Sequence, residues 1–399
     1  MRPLEGMKVL DFTQVHAGSL TTRLLADFGA EIIKIERPYV GDLARYWPPI
    51  ANGESAYYAF LNRGKNSIGL NGSKPEGKEI IEKLLKEVDV ICENFKYGSM
   101  ERMGLSYEDV KKINPEIIYA SLNGFGQTGP LKENVGLDLQ LQAMSGYMDR
   151  TGFPDGAPTK AAAVIGDQIA GTYMANAILL AAIHKKKTGK GQQIDISILE
   201  SLFATLEGAP VTYSLTGTVP ERVGNEYPSC SPYDNFETND GYVAVGVATD
   251  RQWQTFCKAM KLDHLAEKEE YKVNEIRGQQ YHIGLKDELE ALTKTMSKFE
   301  IEEILRGVGL PCGAVRTVAE AMSSDQVNAR EMLIDVNDKA MGNVKMPGIG
   351  IKMSETPGAV THGAPLLGEY TDYYLSHLGY SSQAIEELES KKIIQRSNG

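Results

Sequence analysis

MKVLDFTQVHAGSLTTRLLADFGAEIIKIER, residues 7–37, carries a strand, a turn, a helix and a second strand in one run. The apolar block MKVLDF reads as a buried strand and AEIIKIE as another. Between them, SLTTRLLADFG places Leu20, Leu24, Leu25 and Phe28 on one helical face and stops at Gly29. Two short apolar strands joined by a helix run parallel. The pattern repeats downstream, with VDVICENF and EIIYASLNGFG as further strands. KPEGKEIIEKLLKE is helical with its charges outward, and QQIDIS with LESLFATLEG extends the alternation. The sequence predicts an α/β fold with a doubly wound parallel sheet. Ligands of such sheets gather beyond the carboxyl ends of the strands. The loops that start at Thr13, Arg37, Asn94 and Gly124 all lie there.

A chain of 399 residues exceeds one simple core, so two lobes are expected. Near Val223 the texture changes to NEYPSCSPYDNFETNDGYVAVGV, rich in Pro, Ser and Asn before a hairpin-like strand pair. The smaller domain is therefore drawn at 225–325. The helical PLLGEYTDYYLSHLGYSSQAIEELE returns to the first lobe, giving a large domain of 1–224 plus 326–399. A net charge of -11 excludes a nucleic-acid footprint, which needs a basic surface. Cys92, Cys230, Cys257 and Cys312 are scattered, with no CxxC pair and no histidine at metal-site spacing. That pattern predicts neither disulfides nor a metal centre and points to the cytoplasm. No signal-peptide core opens the chain, and its longest apolar helical stretch, Ala175 to Ile183, is too short for a membrane span.

Two segments carry candidate chemistry. GFGQTG has Gly124, Gly126 and Gly129 in GxGxxG spacing, but Pro130 and a loop-like LKENVG follow where a dinucleotide site needs a helix. It reads as a turn that lets backbone approach a ligand. The second is AAAVIGDQIAGTYMANAILLAAIHKKKTGKG, residues 161–191, with a helix expected from about Asp167 to Lys187. Asp167 at its start is either an N-cap that satisfies free N–H groups or a reactive carboxylate. The small residues around it leave room for a bulky ligand. The Tyr57–Tyr58 and Tyr373–Tyr374 pairs read as core or interface.

At these residues the chain resembles the family III CoA-transferases. The likeness runs through PLEGMKVLDFTQVHAG, LLADFGAEIIKIERPYVGDLAR, LNRGKNSIGLN, ENFKYGSMERMG, INPEIIYASLNGFGQTGP, LDLQLQAMSG, GDQIAG, KTGKGQQIDISILES and APLLGEY. The resemblance implies a Rossmann-like large domain built from both chain ends, a smaller middle α+β domain, and an interlocked homodimer. It implies an enzyme that moves CoA from an acyl-CoA to a carboxylic acid, with no metal or redox cofactor and CoA as substrate. Asp167 in GDQIAG matches the catalytic aspartate. Gln14 and His16 in TQVHAG match positions facing the acyl group. Arg37, Leu70, Asn94, Phe95, Lys96 and Arg102 match the surroundings of CoA. His16 would tune acyl specificity, donate a hydrogen bond or simply pack; it is not read as a general base.

Two other readings stand beside this one. The 2-methylacyl-CoA racemases share the fold but resemble this chain less where they use a histidine before an aspartate; here the run is Gly136-Leu137-Asp138. Proton exchange at an α-carbon needs two acid–base groups, and a leucine supplies none. A non-catalytic CoA-binding subunit is the other, and an intact Asp167 with its phosphate-facing cations argues against it. The middle region EYPSCSPYDNFETNDGY lacks the run of glycines in which formyl- and oxalyl-specific relatives resemble one another. The acid expected from sequence is accordingly medium-sized: a 2-hydroxy or 2-enoyl acid, or a betaine such as carnitine.

Overall fold

A computed structural model describes residues 1–227 and 229–397. Its contacts divide the chain into two compact units: Met1–Tyr147 with Lys160–Gly208 and the chain from Gln326 onward, and Met148–Thr159 with Ala209–Asp325. The second unit thus takes in two stretches, 148–159 and 209–224, that the sequence reading placed in the large domain.

In the first unit the chain order is β1 (Lys8–Asp11), α1 (Ala17–Asp27), β2 (Glu31–Glu36), β3 (Asn66–Leu70), α2 (Pro75–Leu85), β4 (Val90–Glu93), β5 (Ile118–Asn123), α3 (Asp138–Met144), α4 (Ile165–Thr188), β6 (Gln193–Ser197) and α5 (Ile198–Phe203). The second unit holds an antiparallel sheet of β7 (Tyr233–Thr238), β8 (Gly241–Gly246) and β9 (Cys312–Ala314), in the order β9-β8-β7. Its core forms around Phe236, Val243, Trp253 and Phe256. Back in the first unit, β10 (Leu333–Asp338) and β11 (Gly342–Pro347) make a hairpin, and β12 (Ile394–Gln395) ends the series.

The main sheet has seven strands in the order β12-β3-β2-β1-β4-β5-β6. All pair in parallel except β12, which runs antiparallel along β3. Strand direction alternates side chains between faces. Leu10, Ile33, Ile68, Ile91 and Tyr119 therefore join α2 in one core, while Val9, Ile32, Val90, Ile118 and Ala120 join α1 and α4 in another. The strand order reverses between β1 and β4, and that reversal opens the ligand crevice of a doubly wound sheet. Strand β3 was not foreseen from sequence, because NSIGL has few of the β-branched and aromatic residues that mark strands.

Helices α1 and α4 meet at almost no separation. A Cβ on Gly171 would lie 2.5 Å from the Ala17 carbonyl oxygen. The Thr21 hydroxyl donates to both the Gly171 and the Ala17 carbonyl oxygens, at 2.9 and 3.0 Å. Leu20, Leu25 and Phe28 are buried as expected, and Leu24 is half-buried. Among the described residues no helix is long and apolar enough to cross a membrane. Gly171→Ala should force the two helices apart and cost about 1–3 kcal/mol, the usual range for overpacking a dense core. Urea unfolding of the variant measures this, and an unchanged midpoint would show that the contact has slack.

Candidate active site

The chain leaves β1 at the topological switch point in a tight turn, Thr13–His16, whose backbone is fastened on every side. Asp11 Oδ1 accepts from the Thr13 N–H at 2.8 Å and its hydroxyl at 2.6 Å. Lys34 Nζ donates to the Thr13 carbonyl oxygen at 2.6 Å. Asn94 clamps Gln14 from β4's end, accepting from its N–H and donating to its carbonyl, both at 2.8 Å. Asp42 Oδ1 accepts from the Val15 N–H at 2.9 Å. Val15 has φ of 60°, a left-handed conformation that is a steric outlier for a β-branched residue. The surrounding bonds hold it there.

Beneath the turn lie two fully buried ion pairs, Lys34–Asp42 at 3.0 Å and Lys65–Asp11 at 3.2 Å. Burial would raise the Asp11 carboxyl, but Lys65 and Lys34 overcome it and hold it below its ordinary value. Lys65, desolvated and close to Lys34, is lowered to about 8 despite Asp11. Its ammonium also donates to the Ser19 carbonyl and the Asn62 side chain.

This fixed turn delivers the first residue of α1, Ala17, against Asp167. Asp167 is the third residue of α4, which begins at Ile165, two residues before the expected start. The N-cap is Val164, without a side-chain cap bond, so Asp167 does not fill the capping role. Its carboxyl is raised to about 7, first by burial and then by the Asp138 charge, with the N–H groups of Ala17 and of Asp167 itself opposing. Asp138, at the start of α3, accepts from the Gly166 N–H at 2.8 Å and from Gln142 Nε2 at 2.6 Å. Gly166 is enclosed too: a Cβ there would stand 2.8 Å from Ile198 Cγ2 and 2.9 Å from Asp138 Oδ1.

His16 is only 7% exposed, and its Nδ1 lies 2.6 Å from the Tyr57 hydroxyl. Burial, then the nearby Arg23, lowers it to about 4 against the pull of Asp138, so the imidazole is neutral at pH 7. Burial, Asp167 and Asp42 push the Tyr57 hydroxyl up to about 12. The Tyr57 ring also packs 5.4 Å from that of Trp47.

Gln14, His16, Asn94, Phe95, Lys96 and Asp167 line one cavity of about 400 Å³, together with Trp47, Asn123 and Leu137. Arg37 and Arg102 do not line it: both are exposed, Arg37 just past β2 and Arg102 bonded to Ser99 Oγ at 2.8 Å. Leu70, the last residue of β3, is 2% exposed in the core and does not line the cavity. Three residues of the site had no role in the sequence reading. Tyr58 is core as read, but Tyr57 turns toward His16. Asp138 was weighed only as the neighbour of a missing histidine, and Asn123 was passed over inside a glycine turn. Asp138 opens α3 with a carboxylate in its first turn, which is the one signal that could have drawn attention to it.

Asp167 should titrate near pH 7 when followed by carboxyl carbon NMR. Asp138→Asn removes the charge that holds its proton, so the midpoint should move to lower pH. A midpoint that stays in place would leave burial as the sole cause.

The chain matches the model of CoA-transferase family III over residues 4–371. It is 36% identical to the succinyl-CoA:glutarate CoA-transferase of Homo sapiens, over 99% of this chain and 91% of that protein. Against the acetyl-CoA:oxalate CoA-transferase of Acetobacter aceti it is 38% identical, over 90% of this chain and 92% of that one. A crystal structure of a CAIB/BAIF family protein from Brucella suis superposes with a TM-score of 0.87 at 34% identity, over 94% of this chain and 99% of that one. A parallel sheet that opens at its switch point onto a half-buried aspartate thus coincides with full-length sequence likeness: the chain belongs to CoA-transferase family III, and the protein is a CoA-transferase.

Proposed function

We propose that this enzyme moves CoA from the acyl-CoA of one dicarboxylic acid, of the size of succinate, to a second such as glutarate, with Asp167 as the covalent carrier. The placement of Asp167 carries this reading: a buried carboxyl in a cavity wall, facing the N-terminus of α1. The dicarboxylic acceptor rests on both named relatives, one for glutarate and one for oxalate, and the dicarboxylic donor on the first, which is named for succinyl-CoA where the second is named for acetyl-CoA. It takes the place of the 2-hydroxy acid, 2-enoyl acid or betaine expected from sequence, since the relatives described above are named for glutarate and oxalate.

The ionised Asp167 attacks the acyl carbonyl, the C–S bond breaks, and CoA leaves as thiolate from a mixed anhydride. The thiolate then attacks the aspartyl carbonyl, releasing the first acid as carboxylate and leaving an aspartyl-CoA thioester. The acceptor carboxylate attacks that thioester, freeing thiolate and forming a second anhydride. Attack of thiolate on the acceptor's carbonyl gives the new acyl-CoA and restores the Asp167 carboxylate. Every intermediate stays activated, so the thioester's free energy is retained, and no metal or redox cofactor is required. The Ala17 N–H and the Gln14 amide are donors for the oxygens that gain charge. Lys96 at the cavity, with Arg37 and Arg102 outside it, meets the phosphates of CoA. Leu137 lines the cavity with no titratable group, which favours transfer over racemisation.

The working form is an interlocked homodimer in the cytoplasm. The helix Ala209–Thr216 supports the dimer: it buries no residue and exposes Val211, Tyr213 and Leu215.

Asp167→Asn keeps volume but is a poor nucleophile, so transfer should fall to background while the fold survives. Wild-type protein given succinyl-CoA without an acceptor should hold CoA on the peptide that contains Asp167, in a bond that hydroxylamine cleaves. Mass spectrometry after quenching within seconds reads this, and a label on His16 or a cysteine would overturn the mechanism. A panel of acids then ranks acceptors; the dicarboxylic reading fails if glutarate and succinate are no better than carnitine. Sedimentation should find dimer down to the lowest usable concentration, and a folded monomer that grows on dilution would remove the interlocked form.

A further inference from the structure

Asn123 ends β5 on the wall of the Asp167 cavity, and its side-chain amide is divided in purpose. The oxygen is fully used: Oδ1 accepts from the Phe125 N–H at 3.0 Å and the Gly126 N–H at 2.6 Å, which fixes the turn after the strand. The nitrogen is not. Nδ2 is buried and has no hydrogen-bond partner among the described residues. Nor can the amide turn over to hide the mismatch, because that would set an NH₂ against two N–H donors. Buried donors in folded proteins are almost always paired, so an orphan on a cavity wall marks a missing acceptor.

Its neighbours connect Asn123 to the walls around Asp167. Gly124, the next residue, packs on Gly136, two residues before Asp138. The Gly124 carbonyl accepts from the Leu199 N–H at 3.1 Å, and Ile198 beside it presses on Gly166. Asn123 and Asp167 are therefore joined through two walls of the same cavity, one through α3 and one through α5. An acyl group bound to CoA beside Asp167 brings only oxygens as polar atoms, and a neutral amide donor suits them without adding charge.

We propose that Asn123 Nδ2 donates a hydrogen bond to an oxygen of the acyl group undergoing transfer, and so serves as a further substrate-contacting residue. The inference rests on the CoA-transferase reading of Asp167. The bond strengthens as the carbonyl oxygen gains charge in the tetrahedral intermediate, so its loss falls mainly on the rate. Removal of one such donor elsewhere lowers kcat by about 10²–10³.

Asn123→Asp is the direct test, since it keeps an oxygen for the Phe125 and Gly126 N–H groups and removes the donor, while adding a carboxylate. Asn123→Ser guards against a charge effect, because a hydroxyl restores a donor without adding a carboxylate. With succinyl-CoA as donor and glutarate as acceptor, Asn123→Asp should lose at least tenfold in kcat and in the single-turnover rate of CoA attachment to Asp167. Asn123→Ser should lose less than the Asp variant, and affinity for free CoA should be unchanged in both. Equal kcat in wild type and Asn123→Asp overturns the inference, as does a loss that appears wholly in free CoA affinity. Wild-type protein that attaches no CoA to Asp167 overturns the covalent role of Asp167 and this inference with it, so the two failures are told apart.

Discussion

The pairing of Lys34 with Asp42 and of Lys65 with Asp11 is the constraint on which the active-site geometry depends. Four charges buried without water are costly, and such a cluster survives only when each member is paired and hydrogen-bonded. Three of the remaining bonds go to the backbone of the turn, Lys34 to the Thr13 carbonyl, Asp11 to the Thr13 N–H and Asp42 to the Val15 N–H, while the Thr13 and Thr22 hydroxyls and the Asn62 side chain complete Asp11 and Lys65. The ion pairs thus act less as a source of stability than as a jig. They pin the turn between β1 and α1 in a backbone conformation that Val15 would not adopt unaided, at a cost of about 1–3 kcal/mol for such strain. Loss of one partner would leave a buried charge unpaired, typically about 3–5 kcal/mol, and would release the turn as well.

What the jig positions is a helix start. The N–H of Ala17 belongs to the first turn of α1, where donors have no partner within the helix and the dipole favours negative charge. Asp167 lies at the start of α4, so two helix N-termini converge on one carboxylate. Both would lower its pKa, yet it stands near 7, because burial and the Asp138 charge outweigh them. The contact between Gly171 and Ala17 sets the distance between those helices. Packing and electrostatics are in this way the same problem: a displacement of α1 that relieves the close contact also withdraws an N–H from the carboxylate.

How much of this was legible in the sequence follows from what each feature depends on. Strands β1, β2, β4 and β5 and the helical runs of α1 and α2 depend on local apolar period, and they read correctly. Strand β3 depends on pairing with β2 and β12, which its own residues NSIGL do not announce. Asp167 was singled out by its setting among small residues, but the start of α4 lay two residues earlier, because Val164 needs no polar side chain to begin a helix. Asp138 and Tyr57 act through neighbours 28 and 41 positions away in sequence. Spacing rules cannot reach that far. Asn123 was hidden for another reason: its visible role, the turn in NGFG, accounts for only half of its side chain.

The charge state of the cavity limits how an acid can be recognised. His16 is neutral and Asp167 is near its midpoint at pH 7, while Asp138 adds a negative charge behind it. An incoming carboxylate therefore meets no buried cation among the residues that line the cavity; Arg23, Lys34 and Lys65 are buried but do not line it. A cation there would bind the acid tightly, but it would also stabilise the ground-state carboxylates and blunt both nucleophiles. Neutral donors avoid this, since an amide or backbone N–H gives little to a resting carbonyl and more to an oxygen that is gaining charge. The cation among the cavity residues, Lys96, is exposed, where it can hold a phosphate or a distal carboxylate without touching the chemistry. Binding strength is thus kept at the rim and reactivity at the floor, which is the division that a carboxylate nucleophile exchanging acyl groups with other carboxylates requires.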